Sequence, residues 1–192
     1  MNELILASTS KYRKALLERL DLSFKCIAPG VDESKLKNQG LSPKDLAQEL
    51  ALLKSQEVAK NHPNAIIIGS DQVAALGELI LDKPGDRLNA FKQLSLMQGR
   101  EHKLYTAVAV VTPTQVIRFI DTTVLAMKKL SGEQINRYLD RDEPYDCAGS
   151  YKIETSGISL FEHVSSEDFT AITGLPLILL AKHLSKLGYD LP

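Results

Sequence analysis

The sequence predicts an α/β fold: a mixed, twisted sheet with flanking helices, arranged as two lobes around a central cleft. Short apolar runs typical of buried strands alternate with segments of helical spacing along most of the chain. Two pairs of β-rich segments are joined by short turns, and such hairpins make the sheet mixed rather than purely parallel. The 192 residues are expected to form a single domain over residues 1–192.

In the first half of the chain, apolar runs and cap residues mark strands and helices in turn. The runs before Ser8 and before Gly69 are short and apolar, as expected of buried strands. Ser10 and Ser42 are each placed to cap a helix, and Pro43 suits a first helical position. The predicted elements are a strand at 4–7, a helix at 10–20, a strand at 24–28, a long loop at 29–41, a helix at 42–61 and a strand at 65–68.

In the second half, turn residues separate two hairpins from three further helices. Gly77 forms the turn of one hairpin, and a Thr-Pro-Thr turn joins the strands of the other. Asp86 can cap a helix, Ser131 opens a capping box, and Gly188 stops the last helix. The predicted elements are a hairpin at 73–81, a helix at 86–97, paired strands at 105–111 and 116–126, and helices at 131–139 and 176–187.

Composition and charge argue against several classes of partner. With 23 basic and 24 acidic residues the formal charge is −1, and no long run of one sign offers a face for nucleic acid. The apolar stretch Leu175–Ala181 is too short to span a bilayer, and the first apolar run is too short for a signal peptide. Cys26 and Cys147 form no CxxC pair and suit reduced thiols. We therefore expect a cytoplasmic protein without nucleic-acid or membrane partners.

Two polar clusters next to apolar runs are candidates for handling phosphate. Ser8–Arg13 follows the first strand and opens a helix, where free N–H groups and the helix dipole stabilise an anion. Arg13 can reach back as a bidentate phosphate ligand. Lys83 follows an apolar strand and is held by Pro84. The structural alternatives are that Ser10 only caps a helix and that these basic side chains are solvated.

A third cluster places a carboxylate among apolar residues. Asp71 has β-branched and small apolar neighbours on both sides, and a buried carboxylate needs a cation or a metal. A salt bridge is the structural explanation, and a catalytic or metal-binding role is the functional one. Lys54, on the inward side of its helix, and Glu33, on the long loop, are further candidates. The four histidines lack zinc spacing, so Mg²⁺ or Mn²⁺ bound by carboxylates fits better.

Together these clusters resemble the Maf family of nucleotide pyrophosphatases over almost the whole chain. The resemblance rests on an SxSxxR-type segment at Ser8–Arg13, a lysine at Lys54, an Asp at Asp71 and a Lys-Pro pair at Lys83. It continues through the segments Gly99–Arg100 with Thr106, Cys147–Tyr151 and Thr173–Pro176.

The resemblance implies metal-dependent hydrolysis of a nucleoside triphosphate to the monophosphate and pyrophosphate, by a protein that commonly forms homodimers. It implies that Asp71 accepts the proton of the attacking water. It also implies that Ser8, Arg13, Lys54 and Lys83 hold phosphate oxygens, with Glu33 as the metal partner of Asp71. Whether Asp71 is the base, a metal ligand or both stays open at this point.

Departures from the commoner family pattern indicate the branch that acts on 7-methyl-GTP. Tyr12, Gln72, Cys147 and Glu154 stand where the members acting on dTTP and UTP typically have other residues. N7-methylation makes guanine cationic, which favours a carboxylate such as Glu154 over an amide, while Tyr12 offers an aromatic face. The alternatives are a dTTP/UTP pyrophosphatase and a nucleotide-binding regulator of division or septation with little turnover.

Overall fold

The computed structural model describes residues 2–191, and its secondary structure is mixed α/β, as predicted. Six α-helices and seven strands lie within these residues. The strands are β1 (Leu4–Leu6), β2 (Lys25–Cys26), β3 (Ile66–Leu76), β4 (Leu79–Ile80), β5 (Glu101–Val111), β6 (Val116–Met127) and β7 (Phe161–Ser165). The helices are α1 (Lys11–Glu18), α2 (Ser34–Lys37), α3 (Pro43–Ala59), α4 (Arg87–Met97), α5 (Gly132–Asp142) and α6 (Leu177–Lys186).

The strands form a mixed sheet in the order β2-β1-β3-β5-β6-β7, with β4 paired to β3. β1 is parallel to both β2 and β3, whereas β3–β4 and β6–β7 are antiparallel pairs. The chain divides into two compact units, and two lobes were predicted. The first unit comprises residues up to 72, 106–121 and 168 onward, and the second comprises 73–105 and 122–167.

In the first unit, β1 and β3 bury both of their faces. Alternate side chains of a strand point to opposite faces, so Leu4 and Leu6 pack in one apolar cluster with α1 and α6. Ile5 and Ala7 pack on the other side with Val58 of α3. A parallel arrangement covered on both faces reads as a continuous apolar run, which is why these short strands could be predicted.

In the second unit, α4 and α5 pack together and against two short 3-10 segments, at 148–150 and 156–160. Both helices begin as predicted: Asp86 accepts from the Asn89 amide, and Ser131 with Gln134 forms a reciprocal capping box. The cap expected at Ser42 is also present, since its hydroxyl accepts from the Asp45 amide.

Several element boundaries differ from the predictions. β3 runs unbroken from Ile66 to Leu76, so the polar residues 69–72 lie inside a strand rather than after one. The strand continues because buried hydrogen bonds satisfy those side chains. The predicted loop at 29–41 contains the short helix α2, and β7 was not predicted. No helix within residues 2–191 combines the length and apolarity that a membrane crossing requires.

Candidate functional site

Lys54 joins two carboxylates in the first unit. Its Nζ lies 2.8 Å from Oε1 of Glu33 and contacts Oδ1 of Asp71. Lys54 is one helical turn beyond Leu50, whose buried position fixes the inward face of α3. A lone lysine–aspartate pair would be an ordinary buried salt bridge. Here a second carboxylate shares the ammonium, and the charge of Arg13 also acts on both carboxylates, so the group is a four-member charged cluster.

Gly69 brings α3 close enough to β3 for this cluster to form. A Cβ at this position would lie 2.3 Å from the Ala51 carbonyl oxygen and 2.8 Å from the Ser55 backbone nitrogen. Both atoms belong to the helix backbone and cannot rotate away, so only glycine fits between helix and strand. The close approach sets Lys54 against Asp71, two residues further along β3.

Asp71 is a buried carboxylate whose pKa is raised. Only 7% of the residue is exposed, and this desolvation is the main cause of the upward pKa shift. The positive charges of Lys54 and Arg13 oppose the shift, and the negative charge of Glu33 adds to it. A carboxylate with a raised pKa is a stronger base than an exposed one, and the adjacent cations still favour its ionised form.

Arg13 is held in the same unit by the turn before α6. Its Nε donates to the carbonyl of Gly174 at 3.0 Å. Gly174 has φ +109°, and a Cβ there would lie 3.3 Å from Nε, so glycine gives the guanidinium room. Burial lowers the pKa of Arg13, while the charges of Asp71 and Glu33 raise it. Within residues 2–191 the hydrogen bond of Arg13 uses Nε, which leaves both Nη groups to bind an anion.

The serines of the first cluster have structural tasks in the folded chain. Ser10 caps α1 by accepting from the Arg13 amide, and the buried Ser8 hydroxyl accepts from the Ser10 amide at 3.1 Å. The cap is the structural role considered for Ser10. A hydroxyl that accepts one hydrogen bond keeps its proton to donate, so Ser8 retains the capacity to bind a phosphate oxygen.

Ser70 and Gln72 brace the turn that holds Arg13. Ser70 Oγ donates to the Gly174 carbonyl at 2.9 Å. The Gln72 amide donates to Thr106 Oγ1 and to the carbonyls of Ala171 and Ile172, at 2.9–3.0 Å. Because strand side chains alternate, these two residues and Asp71 lie on opposite faces of β3. Gln72, predicted to contribute to specificity, therefore supports the turn at 171–174.

The other predicted site residues lie at the surface or partly buried. Tyr12 is half-buried in the first turn of α1, with the Lys11 ammonium 5.1 Å from its ring centroid. Lys83 and Glu154 belong to the second unit, where each is exposed. Lys83 follows β4, and Glu154 sits on a turn at 153–155. The structure thus brings together Arg13, Glu33, Lys54 and Asp71, and the roles of all the predicted residues stay predictions.

Glu33 and Asp71 are suitable ligands for a hard divalent cation. Both offer carboxylate oxygens to the same cationic centre, which Lys54 supplies. Mg²⁺ needs only one or two protein carboxylates when substrate phosphates and water complete its shell. No group of three or more His, Cys, Asp or Glu side chains suited to a metal occurs within residues 2–191. The residues therefore fit a metal that arrives with phosphate better than a closed protein cage.

Sequence reasoning assigned no individual role to the residues that support this cluster. Gly69 and Gly174 act through backbone approach, and Ser70 through one buried hydrogen bond. Asp168 is buried and accepts from the Ile178 amide at 2.6 Å, which caps the start of α6. The only sequence signal for these residues was a glycine or a small polar residue beside an apolar run.

Comparison with known proteins assigns the chain to a family. The sequence model described as Maf-like protein matches residues 3–187. A protein of Xanthomonas axonopodis pv. citri named 7-methyl-GTP pyrophosphatase is 46% identical over 192 residues, covering 100% of both chains. A protein of the same name from Bdellovibrio bacteriovorus is 47% identical over 182 residues, covering 95% of each.

Among solved structures, a HAM1 protein from Coxiella burnetii aligns with a TM-score of 0.54 at 14% identity, covering 97% of this chain and 100% of that one. This likeness concerns the fold alone. The family match spans nearly the whole chain, and the relatives match at full or nearly full length, so the chain belongs to the Maf family.

Proposed function

We propose that this protein is a nucleoside triphosphate pyrophosphatase that hydrolyses 7-methyl-GTP to 7-methyl-GMP and pyrophosphate, clearing a modified nucleotide from the pool. The observation that carries the proposal is the cluster of Arg13, Glu33, Lys54 and Asp71 in the first unit. The names of the full-length relatives from Xanthomonas and Bdellovibrio support the choice of substrate.

The chemistry follows from the charges of the cluster. Asp71 accepts a proton from the water that attacks the phosphorus, for which burial equips it by raising its pKa. Arg13 and Lys54 offset the negative charge that develops on the phosphate oxygens. Ser8 and Lys83 complete the phosphate-binding set, Ser8 through its hydroxyl proton and Lys83 through its exposed ammonium.

A divalent cation, Mg²⁺ or Mn²⁺, belongs to this proposal. Glu33 and Asp71 would hold it, and when bound it would neutralise charge on the phosphate chain. Lys54 occupies oxygens of the same two carboxylates, so cation binding competes with its ion pairs. Removing metal with EDTA should abolish turnover, and adding back Mg²⁺ or Mn²⁺ should restore it. Full turnover in EDTA would refute the metal requirement.

The base-binding residues in this proposal are Tyr12, Gln72 and Glu154. Tyr12 supplies an aromatic face for the cationic base, and Glu154 supplies a negative charge. Gln72 contributes through the turn at 171–172 that its amide supports. The wild type should therefore prefer the methylated base over GTP.

The decisive experiment measures pyrophosphate release from a nucleotide panel. The panel contains 7-methyl-GTP, GTP, dTTP and UTP, assayed with Mg²⁺ and with Mn²⁺, and mass spectrometry identifies the monophosphate product. We expect the highest kcat/KM for 7-methyl-GTP. A preference for dTTP or UTP would reassign the substrate within the same chemistry. Tight nucleotide binding without release of pyrophosphate would favour the division or septation regulator.

Glu154→Gln tests the charge argument for the base. Glu154 is exposed, and a solvent-exposed carboxylate–cation contact is worth up to about 1 kcal/mol. The ratio of 7-methyl-GTP to GTP turnover should therefore fall by up to about fivefold. Glu162→Gln, an exposed residue of the same unit, is the matched control. An unchanged ratio in Glu154→Gln would remove the carboxylate from base selection.

The cellular setting is also part of the proposal. We expect a cytoplasmic enzyme, which suits the free thiols of Cys26 and Cys147. A homodimer is proposed from family membership alone. Light scattering of the purified protein decides the oligomeric state, and cell fractionation decides the location.

A further inference from the structure

The second unit contains a hydrogen-bonded connection that none of the assigned roles uses. Gln93, on α4, accepts a hydrogen bond from Ser150 Oγ on its Oε1 at 2.6 Å. The same side chain donates from Nε2 to the backbone carbonyl of Asp82 at 2.9 Å. Asp82 directly precedes Lys83, and Ser150 ends the 3-10 turn at 148–150. One amide therefore links the proposed phosphate segment to the segment that leads to Glu154.

The orientation of the Gln93 amide follows from its partners. A backbone carbonyl can only accept, so the Asp82 carbonyl must face the NH₂ group. Oε1 then faces Ser150, whose hydroxyl has to donate. The network defines the amide orientation without ambiguity, because reversing it would set two acceptors against each other.

The Ser150 end of the connection is a strained, buried turn. Ser150 has φ +63°, and no part of the residue is exposed. A non-glycine residue in this conformation costs free energy and persists where its surroundings hold it. Its amide donates to the Cys147 carbonyl at 3.1 Å, and its hydroxyl donates to Gln93. The Gln93 bond is therefore one of the contacts that keep this turn in place.

The Asp82 end is fixed in a similar way. Besides the Gln93 bond, the Pro84 carbonyl accepts from the Asn89 side chain at 3.2 Å. The Gly85 amide donates to the Tyr145 carbonyl at 3.0 Å. The backbone on both sides of Lys83 is thus anchored while its side chain is exposed. Gln93 supplies one anchor on the strand side of Lys83, where the Leu81 amide also donates to the Ala74 carbonyl at 2.8 Å.

We propose that Gln93 is a positioning residue that holds the Lys83 segment with one end of its amide and the Cys147–Tyr151 segment with the other. Resting on the proposed function, this assigns Gln93 to substrate binding rather than to the chemical step. Loss of the Asp82 bond weakens pyrophosphate binding. Loss of the Ser150 bond weakens selection of the methylated base.

Three variants separate the two ends. Gln93→Met removes both bonds with little change of volume or helix propensity. Gln93→Glu keeps an acceptor for Ser150 but repels the Asp82 carbonyl. Ser150→Ala removes the hydroxyl and leaves the Asp82 bond. Lys92→Gln, an exposed neighbour on α4, is the control.

The expected result is a split between two kinetic readouts. In Gln93→Glu, the inhibition constant of pyrophosphate should rise about fivefold, with the ratio of 7-methyl-GTP to GTP turnover kept, as expected for loss of one hydrogen bond. In Ser150→Ala, the ratio should fall by a similar factor, with pyrophosphate inhibition kept. Gln93→Met should show both changes, a raised KM and a kcat within twofold of wild type. If Gln93→Met alters neither readout by more than twofold, the inference is wrong.

Hydrogen exchange tests the connection without relying on turnover. In Gln93→Met, the backbone amides of Asp82, Lys83 and Gly85 and those of residues 147–151 should exchange faster than in wild type, whereas Lys92→Gln should match wild type. Unchanged exchange in both segments refutes the connection even if the enzyme is active. Faster exchange in both segments of a protein that hydrolyses no nucleotide would uphold the connection and refute the proposed function.

Discussion

The two compact units use different chemistry to fix their functional side chains. The first unit surrounds a buried carboxylate with charged groups, as the contacts of Asp71, Lys54 and Glu33 show. The second unit joins its turns through neutral groups such as Gln93 and Ser150. Burying charge requires compensating charge nearby, so the first arrangement couples every member to the others. Neutral hydrogen bonds can hold exposed charged residues in place without altering their charge.

His102 shows how far the second unit relies on neutral groups. The residue is buried, its Nε2 lies 2.9 Å from the Tyr151 hydroxyl, and its ring packs edge-on against Tyr151. Burial lowers the pKa of His102 to about 4, so the ring is uncharged near neutral pH. Nδ1 has no hydrogen-bond partner among residues 2–191. Desolvation alone causes this shift, with no charged group among residues 2–191 acting on the ring, in contrast to Lys54.

Asp71→Asn removes the buried carboxylate of the first unit and should have the largest effect of the variants considered. The amide cannot accept the proton of the attacking water, so kcat should fall by roughly 10²- to 10⁴-fold. Steady-state kinetics with 7-methyl-GTP provide the measurement. Asp140→Asn is the control, since Asp140 is exposed and pairs with Arg87 at 2.7 Å. Undiminished kcat in a folded Asp71→Asn protein would remove Asp71 from the mechanism.

His102→Gln tests the buried neutral groups of the second unit through the pH dependence of the free energy of unfolding. The folded-state pKa of His102 is about 4, below its ordinary 6.5, so the unfolded chain binds more protons between these values. Wild-type stability should therefore decrease as pH falls from 6.5 towards 4, with His102 contributing about 2 kcal/mol of loss by pH 5. Urea unfolding at pH 7.5 and at pH 5 measures this loss of stability.

The glutamine variant should lose less stability than wild type over that pH interval. Tyr151→Phe is the companion variant: it removes the hydroxyl bonded to His102 but keeps the histidine, so the pH dependence should remain. Equal pH slopes for wild type and His102→Gln would show that the buried ring does not control acid stability.

Substitutions at two helix caps, one in each unit, should have the smallest effects. Ser42→Ala in the first unit and Ser131→Ala in the second each remove a hydroxyl that accepts from a backbone amide. Each should lower the free energy of unfolding by about 1 kcal/mol, with kcat within about twofold of wild type. Urea unfolding and steady-state assays on both variants provide the test. A cap variant that kept wild-type stability but lost activity would contradict a purely structural role for the caps.

The fold was predictable where local signals agree with the packing. Apolar runs and caps predict β1, α3, α4 and α5, because burial on both faces and N-terminal capping both leave local sequence patterns. The unbroken course of β3 through Asp71 was not predictable. Its polar residues resemble a strand end, and only partners from other elements, 17 to 104 residues away, show that they are satisfied within the strand.

The charged cluster was partly predictable for a similar reason. Buried-looking Asp71 and inward-leaning Lys54 are visible in the sequence, whereas their contact depends on the approach of α3 to β3. Gln93 left no signal at all, since a glutamine on a helix is ordinary and its partners lie 11 and 57 residues away. Long-range hydrogen bonds by neutral side chains are the part that sequence patterns do not encode.

The contact at Gly69 has a consequence for mutational tolerance. Because a methyl group there would collide with the α3 backbone, even alanine would displace the helix and carry Lys54 away from its partners. Activity is thus sensitive to a position that presents no side chain to any ligand. Libraries meant to alter base selection should leave this glycine fixed and concentrate diversity on exposed turns, where substitutions leave the helix in register.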